Sequence, residues 1–88
     1  MTTPVPHSID AEKIVLGSMM LDPHVARQYA QDLFPEMFWF KPHGIVFDVV
    51  RDMVIENKPI EPPAVTMELH NRNLLETVGG MGFVTALS

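Results

Sequence analysis

The chain has 88 residues, no cysteine and a net charge of −5, and 47% of its residues are hydrophobic. This length predicts one domain with a modest core, which buries roughly 60% of the surface that the unfolded chain exposes. The absence of cysteine excludes a disulfide framework, thiol catalysis and a zinc ribbon. The acidic balance and the scatter of only six basic residues argue against a nucleic-acid-binding surface, which requires clustered lysine and arginine.

The N-terminus shows no charged region followed by an apolar run, and no apolar stretch approaches the roughly 20 residues of a membrane span. We therefore expect a cytoplasmic domain that does not contact a membrane. In residues 1–7, two prolines separated by one valine, Pro4 and Pro6, favour an extended lead-in. Residues 8–88 are predicted to form one helical domain.

The first helix is predicted to run from Ser8, a suitable N-cap, to about Leu21. Asp10 and Glu12 fall in its first turn, where the helix dipole favours negative charge. Gly17 costs about 1 kcal/mol relative to alanine in the middle of a helix, and we expect it to allow another helix to approach closely. The predicted apolar face comprises Ala11, Val15, Leu16, Met19 and Met20.

Asp22 and Pro23 indicate a second helix start, with Asp22 as the N-cap and the proline at the first helical position. This helix is predicted to end near Leu33, before Pro35. An aromatic stretch over residues 35–42, PEMFWFKP, follows it as a tight turn, and we expect it to be anchored in the core by Met37, Phe38 and Trp39.

The aromatic triplet of residues 38–40 is a candidate partner contact. Successive residues face different directions, so Phe38, Trp39 and Phe40 cannot all point inward. An exposed aromatic ring at the rim of a small domain is either a contact for a partner or an incidental surface ring. We take Trp39 and Phe40 as the candidate interface residues.

A central helix over about His43–Asn57, opened by Pro42, is the strongest pattern in the chain. Apolar residues recur at the i, i+3, i+4, i+7 and i+8 spacing of a core-facing stripe, at Val46, Phe47, Val50, Met53 and Val54. Ile45 and Val49 form a second apolar strip beside it. A helix that is apolar on two sides is typical of a central position, and the second strip is also a candidate contact with another subunit.

The remainder of the chain predicts two further helices. Asn57–Pro59 predicts a turn, and we expect the apolar Ile60 after it to insert into the core as a plug. Residues 61–63 predict the start of a helix that reaches about Asn73 and carries Val65, Leu69 and Met67. Glycines 79, 80 and 82 predict a break with positive φ angles. A final helix begins at Phe83 and has no cap before Ser88, which favours a natural protein that continues. The fold class is therefore all-α, a compact orthogonal bundle of five to six short helices.

No catalytic motif is visible in the sequence. None of the four histidines pairs at a metal-binding spacing, so an enzyme using His24, His43 or His70 is the alternative with least support. The glycine-rich stretch lacks the lysine of a phosphate-binding loop. His43 lies on the central apolar stripe, and we predict a structural role in which a ring nitrogen bonds a backbone carbonyl of the aromatic turn.

The order of segments resembles the amino-terminal domain of DnaB-type replicative DNA helicases. The opening Pro6-His7-Ser8-Ile9-Asp10-Ala11-Glu12 and the following Val15-Leu16-Gly17 carry the resemblance. It continues to the end of the chain in Leu21-Asp22-Pro23, Phe38-Trp39, His43, Val46-Phe47, Lys58-Pro59-Ile60, Leu69, Leu74-Leu75-Glu76 and Val78-Gly79-Gly80. The chain departs from the family pattern at Phe40, where the family tends to be polar, and at residues 61–63.

The resemblance implies a small all-α head domain that pairs with another copy, with three pairs forming a hexamer that also meets primase and a helicase loader. It implies structural roles for five residues: Gly17, His43, Phe47, Gly79 and Gly80. ATP and Mg²⁺ would serve the motor domain of the full-length helicase, whereas no cofactor, no metal and little direct nucleic-acid binding are expected for this chain. A free-standing adaptor that mimics the helicase head is the alternative, and a phosphate-binding loop downstream of Ser88 would distinguish the two.

Overall fold

Six α-helices and one short 3₁₀-helix make up the part of the chain that the computed structural model describes, residues 8–87. The predicted lead-in, residues 1–7, lies outside the described residues. In chain order the elements are α1 (Ile9–Leu21), α2 (Pro23–Asp32), the 3₁₀-helix (Pro35–Met37), α3 (Lys41–Ile55), α4 (Pro62–Asn71), α5 (Leu75–Val78) and α6 (Met81–Leu87). The all-α class and the number of helices are confirmed.

The first two helix starts follow the local rules. The Ser8 side chain accepts a hydrogen bond from the backbone N–H of Ala11 at 3.1 Å, and the Asp22 carboxylate accepts one from the backbone N–H of His24 at 2.9 Å. Such caps satisfy N–H groups that have no partner inside the helix. They therefore define where α1 and α2 begin, at the positions that the sequence predicts.

Helix α3 lies at the centre of the bundle, in contact with α1, α2, α4, α5 and the 3₁₀-helix. Both of its apolar strips contribute buried side chains, since Phe47 is fully buried and Val49 is only 1% exposed. The burial of Val49 agrees with the predicted central position and corrects its alternative role as a contact with another subunit, because neighbouring helices surround α3 on several sides. Ile45 is half-buried.

The core joins α3 to residues from every other helix. Ile60 is buried in the loop before α4, as the plug prediction requires, whereas Met67 is 59% exposed and does not face the core. Within residues 8–87, seventeen hydrophobic residues are buried, and they are Leu16, Met19, Met20, Ala26, Leu33, Phe38, Val46, Phe47, Val49, Val50, Met53, Ile60, Val65, Leu69, Val78, Val84 and Leu87.

Left-handed residues end α3, α4 and α5. Asn57 and Asn73 have φ angles of 59° and 60°, and Gly79 and Gly80 have φ angles of 121° and 88°. After α3, the backbone N–H of Lys58 bonds the carbonyl of Met53 at 2.8 Å, which satisfies a carbonyl at the helix end in the manner of a Schellman motif. The predicted positive φ angles at Gly79 and Gly80 are confirmed, but Gly82 lies inside α6 and is not part of the break.

Arg72 links the end of α4 to α3. Its guanidinium donates to Asp52 Oδ2 at 2.9 Å and to Glu68 Oε2 at 2.9 Å. The hydrogen bond from Arg72 is the largest of the causes that hold the pKa of Glu68 below its ordinary value of 4.5, and Lys58 adds to it. The same pairs with Asp52 and Glu68 raise the pKa of Arg72.

This arrangement predicts a small acid sensitivity of stability. Because the pKa of Glu68 is lower in the folded chain than its ordinary value of 4.5, its contribution is present above that value and is lost as the pH falls through the folded pKa. We expect Glu68→Gln to flatten the dependence of Tm on pH between neutral and acid solution. Glu76→Gln, at an exposed carboxylate without an ion pair among residues 8–87, is the control and should leave that dependence unchanged.

Candidate interaction surface

The aromatic segment of residues 38–40 connects the 3₁₀-helix to α3 and bends at Trp39 and Phe40. Phe38 and Phe40 have φ, ψ angles of −85°, 127° and −84°, 113°. Phe38 is buried against Phe47, with ring centroids 5.1 Å apart. Trp39 points outward and is 61% exposed. The prediction that Trp39 anchors this turn in the core is therefore wrong.

The backbone of this segment is bonded to a carboxylate from α1. Glu12 is fully buried, and its Oε2 atom accepts the backbone N–H of Trp39 at 2.6 Å. Its Oε1 atom accepts the N–H of Phe40 at 3.3 Å and bonds His43 Nδ1 at 2.8 Å. An ionised carboxylate only accepts hydrogen bonds, so the imidazole Nδ1–H is the donor in the last contact. No buried side-chain nitrogen or oxygen atom among the described residues lacks a partner.

His43 is buried between this carboxylate and two phenylalanine rings. Its ring is stacked on Phe83 of α6 with centroids 5.6 Å apart, and the ring of Phe40 meets it edge-on at 4.9 Å. The bond from Nδ1 to Glu12 corrects the prediction of a bond to a backbone carbonyl. The backbone groups of the aromatic turn do participate, but as donors to the same carboxylate.

An open groove of about 500 Å³ lies beside Trp39. The Trp39 groove, as we name it, has an apolar floor flanked by charged side chains of both signs. Its lining residues are Pro35, Glu36, Phe38, Trp39, Lys41, Gly44, Ile45 and Asp48. Of the four candidate interface residues, the structure thus brings Trp39 and Ile45 together at one surface, places Phe40 against His43 and Phe83, and buries Val49.

Gly44 allows the two elements that line this groove, α3 and the 3₁₀-helix, to pack closely. A methyl group added at Gly44 would lie 2.8 Å from the carbonyl oxygen of Pro35, which is closer than carbon and oxygen atoms approach without strain. Helix α3 and the 3₁₀-helix therefore touch through backbone atoms at this point. The sequence reading did not single out Gly44, and the close approach that we predicted for Gly17, which is half-buried on α1, stays a prediction.

Glu12 is the second residue that sequence reasoning missed. We predicted it as a first-turn acid favoured by the helix dipole. The available signal was its spacing, because Glu12 precedes Leu16, Met19 and Met20 by four, seven and eight residues and so lies on the buried stripe of α1. An acidic residue on an apolar stripe needs buried donors, which this aromatic segment supplies.

The histidines do not assemble a metal centre in the described part of the chain. No group of three or more histidine, cysteine, aspartate or glutamate residues within residues 8–87 is arranged to hold a metal ion. His24 and His70 are exposed on α2 and α4, away from the buried His43. The geometry at His43 therefore indicates a structural pair with Glu12.

Comparison with known proteins identifies the family. The DnaB-like helicase N terminal domain family matches residues 4–88. The chain belongs to this family. The chain is 31% identical to the replicative DNA helicase DnaC of Bacillus subtilis (strain 168) and 32% identical to the replicative DNA helicase DnaB of Geobacillus stearothermophilus, in each case over 83 residues. Each alignment covers 94% of this chain and 18% of the relative, so the chain spans about a fifth of the length of these helicases.

The fold agrees with that of a solved member of the DnaB-like family. The crystal structure of the N-terminal domain of DnaB helicase from Mycobacterium tuberculosis is similar to this chain with a TM-score of 0.87 and 30% sequence identity. The similarity covers 94% of this chain and 60% of that one. The DnaB-like helical domain predicted from the sequence is thus confirmed. Within residues 8–87, no helix combines the length and the hydropathy needed to cross a membrane.

Proposed function

We propose that this chain is the head domain of a replicative DNA helicase, where it pairs with a second copy, supports assembly of a hexamer and meets primase and the helicase loader. Family membership and the similarity to proteins named replicative DNA helicases support this role. ATP-driven unwinding, with ATP and Mg²⁺, is proposed for the parts of such helicases that this chain does not span. The acidic charge of −5 favours contacts with protein over direct contacts with DNA. The bacterial relatives favour action in the cytoplasm.

Trp39 is the single observation that supports a pairing surface most directly. A large aromatic ring that is 61% exposed above an apolar groove resembles the tryptophan anchors that dominate the binding energy of many protein interfaces. The rim of the Trp39 groove carries Lys41 together with Glu36 and Asp48. A twofold-related copy presents the same surface, so Lys41 of one copy can lie against Glu36 or Asp48 of the other. We therefore commit to a second copy of this chain as the occupant of the groove.

The test is the self-association of the purified 88-residue chain. Trp39→Ala removes the exposed ring but no core contact, and we expect it to weaken pairing about tenfold or more, as truncation of an interface anchor does, with Tm nearly unchanged. Sedimentation over a series of concentrations measures this effect. Ile55→Ala is the matched control, because Ile55 is 69% exposed at the far end of α3.

Equal pairing of both variants and the unaltered chain would remove the Trp39 groove as the pairing surface. Addition of purified primase to the same sedimentation experiment separates the two protein contacts. A complex with primase that Trp39→Ala abolishes, in a chain whose pairing is unaffected, would assign the groove to primase instead.

A further inference from the structure

We infer that Glu12 is a positioning residue for Trp39, holding the aromatic segment so that the ring projects from the surface in one orientation. This inference rests on the proposed function, in which Trp39 contacts a second copy. Glu12, although buried on α1, would thus affect binding at a surface that it does not itself reach.

Local structure alone does not hold this segment in place. Trp39 follows the 3₁₀-helix, and Phe40 precedes α3 as an N-cap that forms no side-chain cap bond. The backbone N–H groups of both residues are bonded to the Glu12 carboxylate, 27 and 28 residues away along the chain. Bonds to an ionised acceptor are shorter and stronger than neutral ones, and the distance of 2.6 Å to the Trp39 nitrogen fits this type.

The position of the Glu12 carboxylate is itself fixed by the residues around it. Glu12 and His43 are both buried, with exposures of 0% and 1%, and the bond between them joins α1 to α3. Phe40 and Phe83 pack against the imidazole ring. Because Glu12 is fully buried, water does not compete for its hydrogen bonds. The flanking Phe38 is buried, which fixes the other end of the segment.

A fixed segment favours binding through Trp39. An interface side chain on a mobile loop loses backbone and rotamer entropy when a partner immobilises it, whereas one on an ordered segment has lost most of that entropy before binding. Loss of the Glu12 carboxylate should therefore weaken pairing although the ring of Trp39 remains.

Glu12→Gln is the variant that tests this effect. The glutamine oxygen can accept one backbone N–H, while its NH₂ group can donate to His43 if the imidazole changes tautomer. Because one side-chain oxygen is replaced by a donor, either the Trp39 or the Phe40 amide loses its acceptor. Shape and volume are nearly unchanged, so the segment loosens with little change in packing.

Two measurements report the position of Trp39 separately from stability. Trp39 is the only tryptophan of the chain, so the decay of its fluorescence anisotropy reports local motion, which we expect to increase in Glu12→Gln. We also expect amide hydrogen exchange at Trp39 or Phe40 to become roughly tenfold faster or more relative to the amides of α3. Val65→Ala, a core change in α4, is the control that lowers stability without this selective effect.

The unaltered chain provides a test that does not depend on the folding of any variant. Its Trp39 and Phe40 amides should exchange nearly as slowly as those of α3, although they belong to no helix. Fast exchange at both amides in the unaltered chain would overturn the inference. So would unchanged anisotropy and relative exchange in a folded Glu12→Gln chain.

The pairing assay distinguishes this inference from the proposed function. If Trp39→Ala weakens pairing and a folded Glu12→Gln does not, the inference is overturned and the pairing surface remains. If Trp39→Ala has no effect on pairing, the proposed pairing surface fails, whereas the anisotropy and exchange measurements still decide whether Glu12 orders the segment.

Discussion

Replacement of Glu12 by alanine is expected to lower the free energy of unfolding by about 3–5 kcal/mol, because several donors lose one shared acceptor and a buried donor left unsatisfied costs about 1–3 kcal/mol. The change leaves His43 Nδ1 and the N–H groups of Trp39 and Phe40 without the acceptor that they share. Each of these donors then carries a desolvation cost that no new partner offsets. Since domains of this kind are stable by about 5–15 kcal/mol in total, this loss is a large fraction of the stability of the chain.

Urea titration followed by circular dichroism measures this loss as a shift of the unfolding midpoint at constant slope. Asp10→Ala is the matched control, because Asp10 lies in the same first turn of α1 but is exposed. Its loss removes only a favourable interaction with the helix dipole, about 0.3–1 kcal/mol. Similar midpoints for the two variants would contradict the role of Glu12 as a shared buried acceptor.

Replacement of Gly44 by alanine is expected to destabilise the chain by about 2–3 kcal/mol, toward the upper end of the range for overpacked sites. Helix propensity alone predicts the opposite sign, since alanine is favoured over glycine by about 1 kcal/mol inside a helix. The new methyl group would lie 2.8 Å from the Pro35 carbonyl oxygen. This oxygen belongs to the backbone of the 3₁₀-helix, so relief of the contact requires the two elements to separate.

Gly82→Ala is the matched control, because Gly82 lies in α6 and an added methyl group there meets no atom within 4 Å. The same substitution should therefore stabilise the chain by about 0.5–1 kcal/mol at this position. Thermal unfolding of both variants shows whether each substitution lowers or raises the Tm relative to the unaltered chain. A Gly44→Ala chain as stable as the Gly82→Ala chain would show that α3 and the 3₁₀-helix separate at little cost.

Much of the fold was predictable because it depends on neighbours in sequence. The caps at Ser8 and Asp22 act on N–H groups two or three residues away, and the apolar period of α3 is visible in 15 consecutive residues. Local patterns of this kind do not show what surrounds a helix. They therefore left two roles open for Val49 on α3, burial or contact with another subunit, and the exposure of Met67 on α4 was not predicted.

The candidate surface was only partly predictable for the same reason. The triplet of residues 38–40 required one outward ring, but its local sequence offers no basis for choosing Trp39 over the two phenylalanines. That choice depends on contacts with distant residues, which are Phe47 under Phe38, Phe83 beside Phe40 and Glu12 on the backbone.

The sequence by itself determined five of the six helices found within residues 8–87, their order, the central position of α3 and, through its ordered motifs, the resemblance to the DnaB-type helicase head. Helix caps, turns and apolar periodicity act over a few residues, so they remain readable without a structure. Only the tertiary structure decided that Glu12 lies inside the domain, that Gly44 allows a close approach of the 3₁₀-helix and that Trp39 faces outward. These features arise from atoms brought together across as many as 31 residues, and such contacts exist only once the helices have packed.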